Sequence, residues 1–256
     1  MTNGNDKFEI TEVTHPEFPE LHQIKTTQEW AERNNLSPML GGWVEHEHNL
    51  LPAGTAWIHE GAIVRGMARV YEHAQVHRGA VVDGGYVAGM AIVHDHAKIH
   101  EGARLGGSVQ VGGWSDIGGA LHLTYGILHD YAWLRTPKDI MQLGPIGSEN
   151  RVTVLHRSLE GGSGYEVRAG CWKGNVNMLR ERVWPTADGD NVWYTPSSGM
   201  QYAREYLEWC DLMEQRIKSW RLSDATTETC DKGVWKERLK ELQGMGVKAK
   251  KNELYG

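Results

Sequence analysis

An aliphatic residue recurs at a six-residue period through the middle of this chain. In order, the aliphatic positions are Ile58, Val64, Val70, Val76, Val82, Val87, Val93, Ile99, Leu105, Val111, Ile117 and Leu123. An alanine stands two places before most of them, as at Ala56, Ala62 and Ala68. Residues i and i+2 of an extended strand point to the same face, so each alanine–aliphatic pair presents one apolar surface. The period predicts a β-solenoid with three short strands in each coil and excludes helix over 56–123.

One interval of the repeat is shorter than the others. Val82 and Val87 are five residues apart, and Gly84 and Gly85 lie between them. Because glycine adopts the backbone conformations of tight corners, these two residues can absorb the missing position. We therefore interpret the interval as a deletion within one coil and not as a domain boundary.

Outward-facing side chains of a solenoid stack from coil to coil. With three hexads in a coil, residues 18 apart stack, or 17 apart across the short interval, with rungs about 5 Å apart. One predicted column contains His59, His77 and His94, and a second contains Arg65, Asp83 and His100. Both columns are candidate ligand-binding surfaces. The alternative is that outward positions accept histidine freely and the columns are by-products of repeat duplication.

The chain changes character on both sides of the repeat. Residues 26–29 are typical of a capping box that opens a helix, and 41–45 are expected to cap the first coil, whose strand edges would otherwise be exposed. Beyond Pro137 the patterns predict strands over 152–156 and 165–169 and helices over 176–183 and 202–220. The expected organisation is an N-terminal segment and cap over 1–50, the solenoid over 51–136, an α+β domain over 137–222 and a basic helical or flexible tail over 223–256.

The C-terminal domain carries a second candidate surface. Arg157, Arg168 and Lys173 flank Trp172 in the sequence, and together they would form a basic, aromatic pocket for a nucleotide. Alternatively, the two arginines are exposed on a hairpin. The segment 144–148 offers backbone amides to a phosphate, but it lacks the lysine and the spacing of a phosphate-binding loop, which favours a structural turn.

Composition argues against several classes of protein. The net charge of −6 disfavours nucleic acid as a partner, because such partners attract a basic surface. No apolar run reaches the ~20 residues that cross a bilayer, and the first residues lack the layout of a signal peptide. We therefore expect a cytoplasmic protein without a membrane partner. Cys171, Cys210 and Cys230 are widely separated, so neither a disulfide framework nor a zinc site is predicted from them.

Several of these motifs together resemble the left-handed β-helix proteins of the hexapeptide-repeat family. The matching features are residues 40–45 with Asn49 and Leu50, the alanine–aliphatic hexads, and the segments 144–148, 170–174 and 202–207. The layout is most similar to a group encoded by bacteriophages and prophages. The resemblance implies a left-handed coil, although crossovers between parallel strands are usually right-handed, and it implies a homotrimer.

The wider family includes coenzyme A-dependent acyltransferases and zinc-dependent carbonic anhydrases. Those carbonic anhydrases place two histidines five residues apart on the coil, whereas the pairs His73/His77 and His96/His100 are four apart, which argues against zinc catalysis. No metal is predicted, and the alternative is that the histidine column binds zinc where a neighbouring subunit supplies the remaining geometry. An acyltransferase would use His77 or His94 as a general base beside a groove that holds a coenzyme A thioester. However, the long loop and the Asn-Gly-rich hexads of many acetyltransferases are missing from this sequence.

We therefore expect a phage-type accessory protein that acts by binding and not by catalysis. Its expected fold is mainly β, a left-handed parallel β-helix with a small α+β C-terminal domain, assembled as a homotrimer in the host-cell cytoplasm. The expected partner is a host defence protein or a small nucleotide-like ligand, and no cofactor is predicted. A coenzyme A-dependent acyltransferase is the alternative.

Overall fold

The computed structural model describes residues 6–159, 164–183 and 199–226, with side chains described as far as residue 220. The chain divides into two compact units, Met1–Pro137 and Lys138–Gly256. The tail predicted over 223–256 lies outside the described residues, apart from 223–226, which continue the last helix.

The first unit begins with a short strand pair and a helix. These N-terminal elements are β1 (Phe8–Thr14), β2 (His22–Thr26), α1 (Gln28–Arg33), β3 (Leu40–Val44) and a 3-10 turn over Glu47–Asn49. Thr27 caps the helix, because its hydroxyl accepts a hydrogen bond from the Trp30 N–H at 3.2 Å. The helix therefore starts one residue later than a capping box that begins at Thr26 predicts.

Fifteen further strands form the repeat. They are β4 (Leu50–Gly54), β5 (Trp57–Ile58), β6 (Ile63–Arg65), β7 (Arg69–Glu72), β8 (Gln75–Val76), β9 (Val81–Asp83), β10 (Tyr86–Val87), β11 (Ile92–Val93), β12 (Lys98–His100), β13 (Arg104–Leu105), β14 (Gln110–Val111), β15 (Asp116–Ile117), β16 (His122–Leu123), β17 (Ile127–Leu128) and β18 (Trp133–Leu134). Each coil contributes one strand to each of three parallel sheets, in the orders β3-β6-β9-β12-β15-β18, β4-β7-β10-β13-β16 and β5-β8-β11-β14-β17. The predicted β-solenoid is confirmed.

The register of the sheets confirms that the short interval lies within a coil. Ile63 pairs with Val81, 18 residues on, whereas Arg69 pairs with Tyr86, 17 residues on. Gly84 closes the shortened corner with φ +80°, a left-handed conformation that favours glycine. The structure also shows a second short step, because Gln110 pairs with Ile127. Beyond this step the solenoid continues past Leu123 through β17 and β18, which agrees with the expected extent of 51–136.

The sequence predicted that residues 41–45 cap the first coil, and this prediction is wrong. The strand β3 is itself a rung of the solenoid, paired in parallel with β6. The sheet continues beyond it through β2 and β1, which pair antiparallel. Gly42 permits this packing, because a Cβ at that position would lie 2.5 Å from the carbonyl oxygen of Ala62.

The solenoid interior is filled by the repeated alanines and aliphatic residues. Ala62, Val64, Ala80 and Val82, for example, have no solvent-accessible surface. Removing a valine or leucine side chain from water contributes about 1.5–3 kcal/mol. The inner columns therefore hold the coils together, and the outward positions are left for other roles.

The second unit is a four-stranded antiparallel sheet with two helices. A 3-10 turn over Pro137–Asp139 begins at the last residue of the first unit. The elements that follow it are β19 (Ile140–Ile146), β20 (Arg151–Arg157), β21 (Tyr165–Ala169), β22 (Trp172–Gly174), α2 (Val176–Val183) and α3 (Met200–Thr226). Leu143, Leu155 and Val167 from the sheet pack in one core with Leu179 and Tyr206 from the helices. The predicted strands and helices of this region are confirmed. Within the described residues, none of the helices combines the length and the apolar character that a membrane span requires.

Candidate functional site

The histidine column runs along the corner where the strands of one sheet end. His59 follows β5 and His77 follows β8, and their rings are stacked with centroids 4.3 Å apart and planes 7° apart. Nε2 of His59 also lies 2.8 Å from Oε1 of Gln75. Burial lowers the pKa of His77, and positive charge on His59 or His94 lowers it further. His77 is therefore neutral at pH 7.

His94, the third histidine of the column, turns towards the later coils. The next rung is Gly112, where a Cβ would lie 2.1 Å from Cε1 of His94. Because glycine has no side chain, the His94 ring lies over this position. The His94 ring comes close to the ring of His129, which follows β17 in the coil after that of Gly112. The two ring centroids are 5.4 Å apart.

Asp95 lies between the two imidazoles. Its Oδ2 accepts a hydrogen bond from the Gly113 N–H at 3.0 Å. The same oxygen lies 2.9 Å from Nδ1 of His94 and 3.2 Å from Nε2 of His129. Burial opposes ionisation of this carboxyl, but the Gly113 hydrogen bond and the nearby imidazoles lower its pKa overall. Asp95 is therefore a carboxylate at neutral pH.

A second carboxylate holds the far side of His129. Nδ1 of His129 lies 3.0 Å from Oδ1 of Asp130, so His129 has an aspartate at each ring nitrogen. Asp95 and Asp130 both occupy left-handed backbone, with φ of 56° and 61°. Aspartate tolerates this conformation better than most residues, and it places both carboxylates at the corner of the coil.

A shallow groove opens beside this cluster. Its volume is about 320 Å³, and its lining is Asp95, His96, Gly113, Trp114, His129, Asp130 and Tyr131. The rings of His96 and Trp114 are stacked, with centroids 4.2 Å apart and planes 21° apart. The groove thus combines flat aromatic surface with two carboxylates and an imidazole. We call the seven lining residues the coil groove.

The second predicted column does not form one ligand surface. Arg65 and Asp83 pair with each other, since Nε and Nη2 of Arg65 donate to Oδ2 of Asp83 at 3.0 and 2.8 Å. His100 instead faces Asp116, with Nε2 lying 2.9 Å from Oδ1, and Arg135 contacts the same oxygen at 2.6 Å. Burial opposes ionisation of Asp116, but His100 and Arg135 hold its pKa at about 2.

The predicted basic pocket of the C-terminal domain is not assembled. Arg157 lies on the helix-facing side of the sheet, where Nε is 2.9 Å from Oδ1 of Asp139 and the guanidinium lies 5.2 Å from the Trp220 ring. Trp172 packs against the same core. Arg168 and the exposed Lys173 lie on the opposite face, because side chains alternate along a strand.

The alternative prediction, that the two arginines are exposed on a hairpin, is wrong. Arg168 is buried, and its Nε donates to Oε1 of Glu166 at 2.6 Å. The Arg157 side chain is only 13% exposed. A buried charge is costly unless a group of opposite charge pairs with it. Each of these guanidinium groups pairs with a carboxylate of the same unit, Arg157 with Asp139 and Arg168 with Glu166.

Sequence reasoning missed His129, Asp95, Trp114 and Asp116. One signal was present for His129: counting on from Leu123 through a second five-residue step reaches Leu128, and His129 follows it. Gly126 lies within that step, as Gly84 and Gly85 lie within the first. The other three residues carry no separate signal, since acidic and aromatic side chains are ordinary at solenoid corners.

Comparison with known proteins does not assign the chain to a family. No family model matches it, and neither a curated protein nor a solved structure matches it. Functional conclusions therefore depend on the geometry of the coil groove.

Proposed function

We propose that this chain is a binding protein for a small nucleotide-like ligand and that the coil groove is its site. The observation that carries the proposal is the stacked pair of His96 and Trp114, which adjoins Tyr131 in the groove. Stacking on aromatic side chains stabilises a bound base by about 1–3 kcal/mol and tolerates any base, because every base has a π-face.

The polar lining of the groove complements a nucleobase edge. The carboxylates of Asp95 and Asp130 accept hydrogen bonds from amino and imino groups, which bases offer on their Watson–Crick edges. His129 lies between the two carboxylates. The volume of about 320 Å³ lies at the lower end of the range for small-molecule pockets.

Direct titration tests this proposal. The probes are adenosine and guanosine mono- and triphosphates and cyclic di-adenylate, added to the full chain in calorimetry, once with a chelator and once with Zn²⁺. We expect saturable binding of one ligand per chain in at least one buffer, and we expect Trp114→Ala to weaken it about tenfold.

Trp30→Ala is the matched control for that variant. Trp30 is half-buried like Trp114, but it lies in α1, beside β1 to β3, whereas Trp114 adjoins β15 at the other end of the sheet order. The control should bind like the unmodified chain. Absence of binding for every probe in both buffers, or equal affinity for Trp114→Ala, contradicts the proposal.

Acyl transfer from coenzyme A is the second candidate, and the pairing of His94 with Asp95 favours it. A carboxylate 2.9 Å from Nδ1 orients Nε2 of His94 as a general base. Nε2 would take the proton of an acceptor hydroxyl or amine, the acceptor would attack the thioester carbonyl, and the proton would leave with the coenzyme A thiol. Thiol release from acetyl-coenzyme A that His94→Gln abolishes and Trp114→Ala spares would replace the binding proposal with this one.

The proposal retains the setting that the sequence resemblance implies. In that setting the chain is a phage-type protein whose hexapeptide-repeat coil is left-handed. It forms a homotrimer in the host-cell cytoplasm and has a host defence protein as a further partner. Exposed Met90 and Tyr125 support a subunit contact, because they lie at the same corner of the solenoid and are 64% and 58% exposed. Light scattering at micromolar concentration tests the trimer, and a monomeric mass would exclude it.

A further inference from the structure

We propose that His94, Asp95 and His129 form a binding site for a divalent first-row transition-metal ion. One nitrogen from each histidine and one carboxylate oxygen of Asp95 lie within 4.8 Å of one another. All three residues belong to one chain, so the site needs no partner subunit. The three ligands come from two coils that stack on either side of the coil that carries Gly112, in a fixed register.

The spacing of these atoms is close to that of ligands around a small ion. Oδ2 of Asp95 lies 2.9 Å from Nδ1 of His94 and 3.2 Å from Nε2 of His129. Zinc binds such atoms at about 2.0–2.2 Å, so neighbouring ligands of a tetrahedral ion are about 3.3 Å apart. Both imidazole rings are partly exposed, and the two imidazole nitrogens and the carboxylate oxygen all lie within 4.8 Å of one another.

The position of Asp130 gives a further reason for a cation at this point. Nδ1 of His129 lies 3.0 Å from Oδ1 of Asp130, and Nε2 of the same ring lies 3.2 Å from the Asp95 oxygen. A metal ion between Nε2 and that oxygen is bound by both. Asp130 then orients the ligating ring, as a carboxylate commonly does for a metal-bound histidine.

Gly112 makes the His94 ligand possible. The His94 ring lies over this residue, and any Cβ there would meet the ring at 2.1–2.7 Å. The backbone of Gly112 is not among the positive-φ glycines, so alanine meets no backbone strain at this position. Replacing Gly112 by alanine therefore displaces one ligand without removing it.

The donor atoms select the class of ion. Two imidazole nitrogens with one carboxylate oxygen suit zinc, iron, cobalt or nickel, whereas magnesium and calcium prefer oxygen alone. Three protein ligands leave a fourth position for water or for a ligand, the arrangement of open zinc sites. His129 and Asp95 line the coil groove, so the fourth position adjoins it.

A bound cation also changes what the coil groove can hold. The negative charges of Asp95 and Asp130 repel a phosphate. A divalent ion at the metal site offsets this negative charge, and it offers a coordination position to a phosphate oxygen. This extension to phosphate rests on the proposed function; the metal site itself does not.

The test is metal titration of the full chain after it has been stripped with a chelator. Zn²⁺ alone is followed by calorimetry, and Co²⁺ alone by visible absorption, which reports the coordination geometry. We expect one ion per chain and a tetrahedral or five-coordinate cobalt spectrum. His94→Ala, His129→Ala and Asp95→Ala should each weaken Zn²⁺ binding more than 100-fold, and Asp130→Asn about 10-fold or more, as expected for a carboxylate that orients a ligand.

Two matched controls separate this site from adventitious binding. Gly112→Ala should weaken Zn²⁺ binding, whereas Gly106→Ala should not, because a Cβ at Gly106 meets only Thr124 Cγ2 at 3.8 Å. His73→Ala removes an exposed histidine outside the cluster and should also bind normally. Circular dichroism of each variant checks that it is folded.

Either of two results would overturn the metal site: the absence of stoichiometric Zn²⁺ and Co²⁺ binding, or binding that survives the loss of His94 and His129. Nucleotides are absent from these titrations, and the Trp114 experiment includes a chelator arm, so failure of the metal site and failure of the ligand proposal are read separately.

Discussion

Asp116 links neighbouring coils through a buried carboxylate. Its side chain is 6% exposed and is contacted by His100 from the preceding coil and by Arg135 from the following one. Burial alone would raise the pKa of this group. The contacts outweigh burial and hold the pKa at about 2, below the ordinary value of 3.8.

The low pKa of Asp116 predicts a stability that depends on pH. Because the pKa is lower in the folded chain than in the unfolded chain, the contribution is complete well above pH 4 and is lost as the pH falls towards 2. Asp116→Asn should lower the free energy of unfolding of the solenoid by ~2 kcal/mol at pH 7 and by about half as much at pH 3. Urea unfolding at the two pH values measures the difference.

Asp83→Asn is the control for this prediction. Asp83 also pairs with an arginine, but the side chains of Asp83 and Arg65 are 39% and 34% exposed. Exposed ion pairs contribute ~0–1 kcal/mol, so this variant should change stability little at either pH. A loss for Asp116→Asn that does not shrink on acidification would contradict the assignment.

For single residues, the sequence predicts which side chains stack in a column but not which neighbouring side chains they contact. The spacing of 18 residues correctly stacks His59 on His77 and Arg65 on Asp83. It does not predict that His94 turns over Gly112 or that His100 turns to Asp116. Those contacts depend on the side-chain rotamers of the two histidines. The rotamers depend in turn on neighbouring rungs without a side chain, which are Gly112 beside His94 and Gly118 beside His100.

Strands, helices and corners follow from short-range patterns, whereas the buried face of the sheet in the second unit does not. Apolar residues that alternate predict β20 and β21, and apolar residues at steps of three or four predict the longer C-terminal helix. Each strand of this sheet pairs with its neighbour in the sequence, but which face the two helices cover is a tertiary property. For that reason the sequence does not assign the four basic and aromatic candidates to the two faces. Likewise, β3 has the glycines of a turn but pairs as a rung, because its close approach to Ala62 is a tertiary contact.

The sheet of the second unit contains a buried ionic cluster that predicts a local loss of stability. Glu166 lies 2.6 Å from Nε of Arg168 and 3.6 Å from Nε2 of the fully buried His156. Glu166→Gln removes the carboxylate that pairs with the buried Arg168 guanidinium, and breaking a buried ion pair costs about 3–5 kcal/mol. Hydrogen exchange should show a fall of about this size in the opening free energy of the β20 and β21 amides.

Glu149→Gln provides the comparison within the same unit. Glu149 pairs with Arg151, but their side chains are 67% and 57% exposed, so exchange in β20 and β21 should change by less than about 1 kcal/mol. Equal protection in both variants would mean that the cluster around Glu166 contributes nothing to the stability of the sheet.

The stacked coils of the first unit hold its surface side chains at fixed positions. Its coils are spaced by backbone hydrogen bonds in three sheets, so residues far apart in the sequence, such as His94 and His129, meet with little freedom of movement. Sites on such elements hold their geometry better than sites on loops. The repeat therefore explains how a cluster of histidine, aspartate and tryptophan side chains can be positioned without an interrupting loop.

Function at the scale of the whole molecule depends on whether the coil groove binds a ligand. Native mass spectrometry of the full chain, purified without a chelator, tests this most directly, because one spectrum reports the number of subunits and every retained metal or nucleotide. We predict a retained nucleotide-sized mass for each chain, with a lower occupancy in Trp114→Ala and an unchanged occupancy in Trp30→Ala. A chain without any retained small molecule, which also binds none of the added nucleotides, would contradict the account.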